Sequence, residues 1–127
     1  MKHTIPVLGL LISCCLWAYE PPEFYAEIGK EEAHGVEKNS IRSEGIFTRV
    51  TIRITPQDSK NTNTTPGPRL LKFVVNCSDG NIALSGVELY DYSGRLLKLM
   101  VVPPGGSSFQ SPQKHSPQEK WVTEVCN

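Results

Sequence analysis

The sequence of 127 residues has no excess of either charge, because its 13 Lys and Arg residues balance its 13 Asp and Glu residues. A neutral chain does not attract nucleic acid over long distances, so no nucleic-acid partner is expected. No apolar run reaches the roughly 18 residues that a membrane-spanning helix needs. With 39% hydrophobic residues, the chain still has enough apolar side chains for one folded domain.

Residues for catalysis or metal binding are also scarce. Beyond residue 18 there are only two histidines, His34 and His115, and neither lies at a metal-ligand spacing from a cysteine. The carboxylates form no acid and base couple, and neither Cys77 nor Cys126 lies in a known nucleophile signature. We therefore predict no catalytic residue, no metal ligand and no cofactor, in a protein that is not an enzyme.

Residues 1–18 have the organisation of a signal peptide. A short basic start precedes the apolar run Ile5–Ile12, whose length is typical of export signals and too short for a membrane span. The sequence therefore predicts an exported chain in which residues 19–127 form a single domain.

Two cleavage sites compete at the end of this signal peptide. The tetrapeptide Leu11-Ile12-Ser13-Cys14 has the form of a bacterial lipobox, in which the cysteine is lipidated and becomes the new N-terminus. Ala18 instead ends an ordinary signal-peptidase site. Both alternatives stay open, so the protein is predicted to be either an outer-membrane lipoprotein or a periplasmic protein.

Export determines how the remaining cysteines are interpreted. Cys77 and Cys126 are the only cysteines in the body of the chain, and an oxidising compartment favours their pairing. We predict a disulfide between them. Closing a loop of about 50 residues would restrict the unfolded state by roughly 4 kcal/mol in the chain-entropy model.

The body of the chain predicts an antiparallel sheet of five or six strands. From Ile46 to Ile54, apolar residues alternate with polar ones, which is typical of a half-buried strand. Further strands are predicted at Leu70–Val75, Ile82–Tyr90 and Arg95–Val102, with weaker candidates at Phe24–Ile28 and Ala33–Val36.

Turns and loops separate these strands. Asn76–Asn81 is predicted to be a turn and Asp91–Gly94 a hairpin, and Gly86 marks a bulge within its strand. The polar stretches Thr55–Arg69 and Pro103–Ser108 are predicted to be exposed loops.

A helix is predicted at the C-terminus. Ser116 provides an N-cap, Pro117 suits the first helical position, and Glu119 is placed to close a capping box. Trp121 and Val125 lie four residues apart on one apolar face. The expected fold is therefore α+β: an antiparallel sheet with one C-terminal helix packed on it and tethered by the disulfide.

Two surface features have alternative interpretations. Arg42, Arg49 and Arg53 form a basic surface that suits an anionic partner, but a solvated face is the more common role of such residues. Tyr90 and Tyr92 resemble a stacking platform, whereas packing at the rim of the sheet is the more common role of aromatic residues there.

Three stretches of the chain occur in a characteristic order. They are residues 36–45 (VEKNSIRSEG), Asn76-Cys77 followed by residues 89–95 (LYDYSGR), and the tail from Phe109 through Ser116-Pro117 to Val125-Cys126. Together they resemble the surface-adhesin protein E-like family of small exported bacterial proteins, over about residues 24 to 127. The chain departs from that family at Glu37, where aspartate is usual, at Phe109, where tryptophan is usual, and in its longer Thr55–Arg69 loop.

The resemblance implies the same sheet, helix and cysteine pair that the residues predict independently. For function, it implies an adhesin-like protein, because the namesake member is an outer-membrane lipoprotein that binds host extracellular-matrix and serum proteins. The binding segments of that member have no clear counterpart here, so the resemblance assigns no ligand-binding residue.

Two functions from different classes compete. The leading hypothesis is an exported, non-enzymatic binding module of the bacterial envelope that holds a host extracellular-matrix protein or an envelope protein. The alternative is a periplasmic structural, assembly or inhibitor protein with no host ligand. In both cases the membrane is contacted only through the lipid on Cys14, where that lipid is present.

Replacing Cys14 tests the lipobox. Cys14→Ser is expected to abolish acylation and to release the protein from the membrane fraction. Cys15 follows the lipidated position and is not the aspartate that retains lipoproteins in the inner membrane, so the outer membrane is the expected destination. Mass spectrometry of the mature chain is the measurement, and an N-terminus at Tyr19 would contradict the prediction.

Overall fold

The computed structural model describes residues 21–56, 67–103 and 108–127, so the predicted signal peptide and its cleavage sites at Cys14 and Ala18 lie outside the described residues. Within the described ranges, the chain forms five strands and two helices. In chain order these are α1 (Pro22–Tyr25), β1 (Glu32–Glu44), β2 (Phe47–Pro56), β3 (Arg69–Asn76), β4 (Asn81–Tyr90), β5 (Leu96–Val101) and α2 (Pro117–Cys126).

The strands form one antiparallel sheet in the order β1-β2-β3-β4-β5, so each strand pairs with its neighbour in sequence. The predicted hairpin between β4 and β5 is confirmed. The Asp91 carboxylate closes it by accepting hydrogen bonds from the backbone N–H groups of Ser93 at 3.0 Å and Arg95 at 2.8 Å. The α+β architecture with a C-terminal helix is therefore confirmed, with five strands.

Four of the predicted strands are confirmed within two residues at each end. The largest difference is at β2, which continues through Thr55 and Pro56, while β3 already begins at Arg69. The predicted Thr55–Arg69 loop is therefore wrong at both ends, because β2 pairs with β1 through Pro56, beyond its last apolar residue, and Arg69 already pairs with Ile54. Residues 57–66 of this loop and residues 104–107 of the second loop lie outside the described part.

Two weaker strand predictions need correction. The stretch Phe24–Ile28 forms no strand; Pro21 and Pro22 instead begin the single helical turn α1, where a missing backbone N–H does no harm. The stretch Ala33–Val36 is only the first part of β1, which runs on to Glu44. The alternation of polar and apolar residues breaks inside β1, and this break concealed its length.

One face of the sheet forms the hydrophobic core. As predicted, Val50, Ile52 and Ile54 of β2 point to this face, and Phe73 and Leu71 of β3 lie opposite the first two. Helix α2 lies against β1 and β4, and α1 lies against β4. The buried cluster consists of Val50, Ile52, Ile54, Leu71, Phe73, Val75, Ile82, Leu84, Val87, Trp121 and Val125.

Trp121 anchors α2 on this face and is only 1% exposed. Its ring centroid lies 5.7 Å from that of Phe73. Its indole N–H donates a hydrogen bond of 3.0 Å to Nδ1 of His34 on β1, so the polar atom of the ring is paired inside the core. Trp121 therefore joins the helix to two strands of the sheet.

The start of α2 is capped as predicted. The hydroxyl of Ser116 accepts a hydrogen bond of 3.2 Å from the backbone N–H of Glu119, and Pro117 occupies the first helical turn. In a capping box, the carboxylate of Glu119 would accept a hydrogen bond from the backbone N–H of Ser116. Here it accepts from the N–H of His115 instead, so this second bond of the box is displaced by one residue.

The predicted disulfide between Cys77 and Cys126 is present. Cys77 lies in the turn after β3, Cys126 is the last residue of α2, and their Cα atoms are 5.5 Å apart. The bond therefore ties the end of the helix to one end of the sheet.

Arg69 holds the N-terminal segment against the opposite end of the sheet. Its guanidinium donates to the carbonyl oxygens of Tyr25 and Glu27 and forms an ion pair with the carboxylate of Glu32 at 2.5 Å. Both side chains of this pair are largely buried. The hydrogen bonds from Arg69 lower the pKa of Glu32 below its ordinary value of 4.5.

Three variants test how α2 is held. We expect Trp121→Ala to lower the free energy of unfolding by roughly 3 to 5 kcal/mol, because it empties a buried site. Cys126→Ser is expected to cost about 2 to 5 kcal/mol, and Ser116→Ala only about 1 kcal/mol, because it removes a cap and no core. Urea unfolding of the three variants and the wild type measures the order of these losses of stability. A Trp121→Ala variant as stable as the wild type would contradict it.

The Arg69 and Glu32 pair predicts a pH dependence. Since the pKa of Glu32 is lowered in the folded state, its contribution is complete above the ordinary value of 4.5 and is lost as the pH falls through the lowered value. Glu32→Gln should therefore cost about 1 to 2 kcal/mol at pH 7 and progressively less in acid. Glu37→Gln is the control.

The Glu37 carboxylate pairs with Arg53 at 2.7 Å, but both side chains are about half exposed, so this variant should change stability by less than about 1 kcal/mol. Equal losses of stability in the two variants, or a loss in Glu32→Gln that persists at low pH, would contradict the stabilising role of the Arg69 and Glu32 pair. Urea unfolding between pH 2.5 and pH 7 is the measurement.

Candidate functional site

The face of the sheet opposite the core carries a groove with a volume of about 520 Å³. Arg42 and Arg49 lie at its β1 and β2 end, Lys72 lies along its middle, and Leu99 and Val101 of β5 form its other end. The groove therefore has one basic end and one apolar end.

A bulge in β1 shapes the basic end. Residues 38–41 of β1 oppose only Val50 of β2, so several residues project from the regular ladder. The hydroxyl of Ser40 holds this bulge, donating to the carbonyl of Glu37 at 2.5 Å and accepting from the N–H of Thr51 at 2.8 Å. Bulges increase the local twist and bend of a strand, which makes the sheet concave here.

A second bulge lies at the predicted position in β4. Lys72 pairs with Gly86 and Phe73 with Leu84, so Ser85 is the extra residue, and its hydroxyl donates to the carbonyl of Lys72 at 3.1 Å. A Cβ on Gly86 would lie 3.0 Å from the carbonyl oxygen of Met100, so a larger residue would push β5 away. The absence of a side chain at Gly86 therefore allows β4 and β5 to lie close together at the bottom of the groove.

The charges at the basic end are incompletely balanced. Arg42 lies directly opposite Arg49 across β1 and β2, an arrangement of like charges that is unfavourable by itself. The repulsion is reduced at Arg49, which forms an ion pair of 2.7 Å with the carboxylate of Glu44. Arg42 makes no hydrogen bond or ion pair with any described residue. Its guanidinium is available to an anionic group.

The apolar end consists of exposed side chains. Leu99 is 58% exposed and Val101 is 71% exposed, although both lie in a regular strand. On the same face, Lys72 is 3.8 Å from the carboxylate of Glu88, which leaves the middle of the groove nearly neutral. A ligand that spans the groove would therefore need both an acidic and an apolar part.

A second cavity, of about 530 Å³, lies on the core side between α1 and the start of α2. Two of its polar residues have structural roles: Ser116 caps α2, and the backbone of Gln110 forms a bridge with Ile82 through two hydrogen bonds. It contains no cation comparable to Arg42. The groove on the outer face is therefore the better candidate for a binding site.

The hairpin tyrosines do not form a shared platform. The hydroxyl of Tyr90 donates to the carboxylate of Glu88 at 2.8 Å, and this bond raises the pKa of Tyr90. The hydroxyl oxygen of Tyr92 is buried. Hydrogen bonds from Ser93 and from the N–H of Arg95 lower the pKa of Asp91, and the same bonds stabilise the turn between β4 and β5. These contacts fit the packing role.

The sequence pattern indicated the basic surface but not the groove. Arg53 is paired with Glu37 and does not line the groove, whereas Arg42 and Arg49 do. Leu99 and Val101 were missed as surface residues, because an apolar strand sequence looks the same at a sheet edge and in a core. Their position at the edge is visible only in the strand order.

The described ranges contain no helix long and apolar enough to cross a membrane. In the same ranges, no three His, Cys, Asp or Glu side chains are grouped so that they could hold a metal ion. No protein-family model, curated protein or solved structure matches this chain.

Proposed function

We propose that this chain is an exported, non-enzymatic binding module of the bacterial envelope that holds a protein partner on the outer face of its sheet. The observation that carries the proposal is the groove, which combines the exposed apolar side chains of Leu99 and Val101 with the guanidinium of Arg42, which forms no ion pair with any residue in the described ranges. The partner segment accordingly presents acidic and apolar side chains together.

The shape of the groove favours a macromolecular partner. The groove is open along the sheet, and its two ends lie near opposite edges of the sheet, one at β1 and the other at β5. A small metabolite is normally enclosed by its site, whereas a segment of a protein can cross an open face and contact both ends. Arginine is also enriched at the centres of protein interfaces.

The cellular setting follows from the sequence. The predicted signal peptide and the Cys77–Cys126 disulfide suit a secreted or envelope protein. The resemblance to surface-adhesin protein E-like proteins supports a host extracellular-matrix or serum protein as the partner, and an envelope protein is the other member of the same class. The periplasmic structural, assembly or inhibitor role, with no host ligand, is the competing outcome of the experiments below.

Reversing the charge of Arg42 tests the groove. Arg42→Glu should weaken binding to a panel of immobilised extracellular-matrix and serum proteins by about tenfold, because it places an acid where the partner's acid would lie. Lys114→Glu is the matched control, since it makes the same charge change at an exposed residue outside the groove. Surface plasmon resonance with the purified mature protein is the measurement.

Two results would overturn a host protein as the partner in the groove. If the wild type binds no member of the panel, or if Lys114→Glu weakens binding as much as Arg42→Glu, the groove does not hold a host protein. Protease treatment of intact cells provides the second test: cleavage of the protein supports a surface-exposed module, and full protection favours the periplasmic alternative.

A further inference from the structure

The outer groove offers a partner two contact points, and they lie near opposite edges of the sheet. Arg42 on β1 is exposed and supplies a cation, whereas Leu99 and Val101 on β5 supply exposed apolar side chains. In the strand order, β1 and β5 are the outermost strands, with three strands between them. The distance between the two contact points is therefore fixed by the spacing and register of the strands.

The register gives an estimate of this distance. One row of paired residues crosses β2 to β5 and consists of Thr51, Lys72, Gly86 and Val101. Arg42 pairs with Arg49, two residues from Thr51 along β2. Four strand spacings of about 4.8 Å and two residue steps of about 3.3 Å put Arg42 about 20 Å from Val101. Leu99 lies two residues farther along β5, at about 23 Å.

A partner has to place its acidic and apolar side chains at the same separation. Side chains stand roughly perpendicular to a sheet, so their tips keep nearly the spacing of their Cα atoms. An extended segment rises about 3.3 Å per residue and covers about 20 Å in six residues. A helix of that length, about 10 Å wide, would fill roughly 1,600 Å³, about three times the volume of the groove. The groove therefore suits an extended segment.

An extended segment also limits which of its residues can face the sheet together. Successive side chains point to opposite faces, so residues i and i+6 face the same way, whereas residues i and i+5 do not. Residues i and i+4 share a face but are only about 13 Å apart, and residues i and i+8 are about 27 Å apart. A separation of six residues satisfies both the distance and the direction.

The middle of the groove decides what lies between the two contacts. The side chains at i+2 and i+4 would face Lys72 and Glu88, which are 3.8 Å apart and already balance each other. Gly86 has no side chain and leaves space beside them. Neither charge needs a partner from outside, so uncharged residues fit these two positions.

We infer that the partner binds through an extended segment in which an acidic residue and a large apolar residue are six positions apart, with uncharged residues at the two positions between them that face the sheet. The acid binds the guanidinium of Arg42, which can hold a carboxylate through two parallel N–H groups. The apolar side chain packs against Leu99 and Val101. This inference rests on the proposed function, because it describes the partner of the same groove.

Synthetic peptides test the spacing. Each carries one glutamate and one leucine in a background of threonine and glutamine, with both termini blocked, and the two residues are four to eight positions apart in either order. The better order at six positions should bind the mature protein roughly tenfold more tightly than any peptide with five or seven, where one contact faces away. Titration at millimolar peptide, followed by NMR, measures the dissociation constants.

Variants of the protein test the two contacts. Arg42→Glu should reverse the preference, so that a peptide with lysine in place of its glutamate binds roughly tenfold more tightly than the original peptide. Val101→Thr should weaken binding of the original peptide severalfold, because it removes apolar contact. Leu96→Thr is its matched control: Leu96 is 48% exposed in the same strand but does not line the groove, so binding should not change.

Failure of this inference can be told apart from failure of the proposed function. Equal binding at five and six positions, no gain for the lysine peptide in Arg42→Glu, or equal effects of Val101→Thr and Leu96→Thr would overturn the inference. If the protein still binds whole proteins through Arg42, the proposed function stands and only the extended segment is wrong. If it binds neither peptides nor proteins, both are wrong.

Discussion

The packing of Trp121 onto the sheet is the interaction on which the rest of the structure depends. A sheet with one apolar face needs a cover, and a helix of ten residues is too short to be stable alone in water. The indole meets both needs, because it fills the space above Phe73 and places its N–H against His34 of β1. The disulfide and the cap at Ser116 hold the two ends of an element that Trp121 fixes in the middle.

Because α2 covers one face of the sheet, the opposite face remains available for a binding surface. Two bulges border the groove on this face, and each is held by a serine hydroxyl, Ser40 in β1 and Ser85 in β4. Gly86 allows the second bulge to sit close to β5. The proposed binding groove is thus a product of irregularities in the ladder, while the core depends on its regular part.

Local patterns in the chain were sufficient for most of the fold. Alternation located β2, apolar stretches bounded by turn residues located β3, β4 and β5, and the sequence Ser116-Pro117-Gln118-Glu119 located the start of α2, because these signals depend on near neighbours. The length of β1 was not predictable, since its bulge disrupts the alternation. The outer groove was not predictable either: Arg42 meets Arg49, and Leu99 becomes an edge residue, only through the order of the strands.

The disulfide has a topological consequence. It closes a covalent ring of 49 peptide links, from the turn after β3 to the penultimate residue, and this ring contains β4, β5 and α2. A single cut at any peptide bond inside the ring leaves both fragments covalently joined. Proteolytic nicking of an exposed connection such as residues 108–115 would therefore leave the molecule in one covalent piece. The core could then persist in a two-chain form.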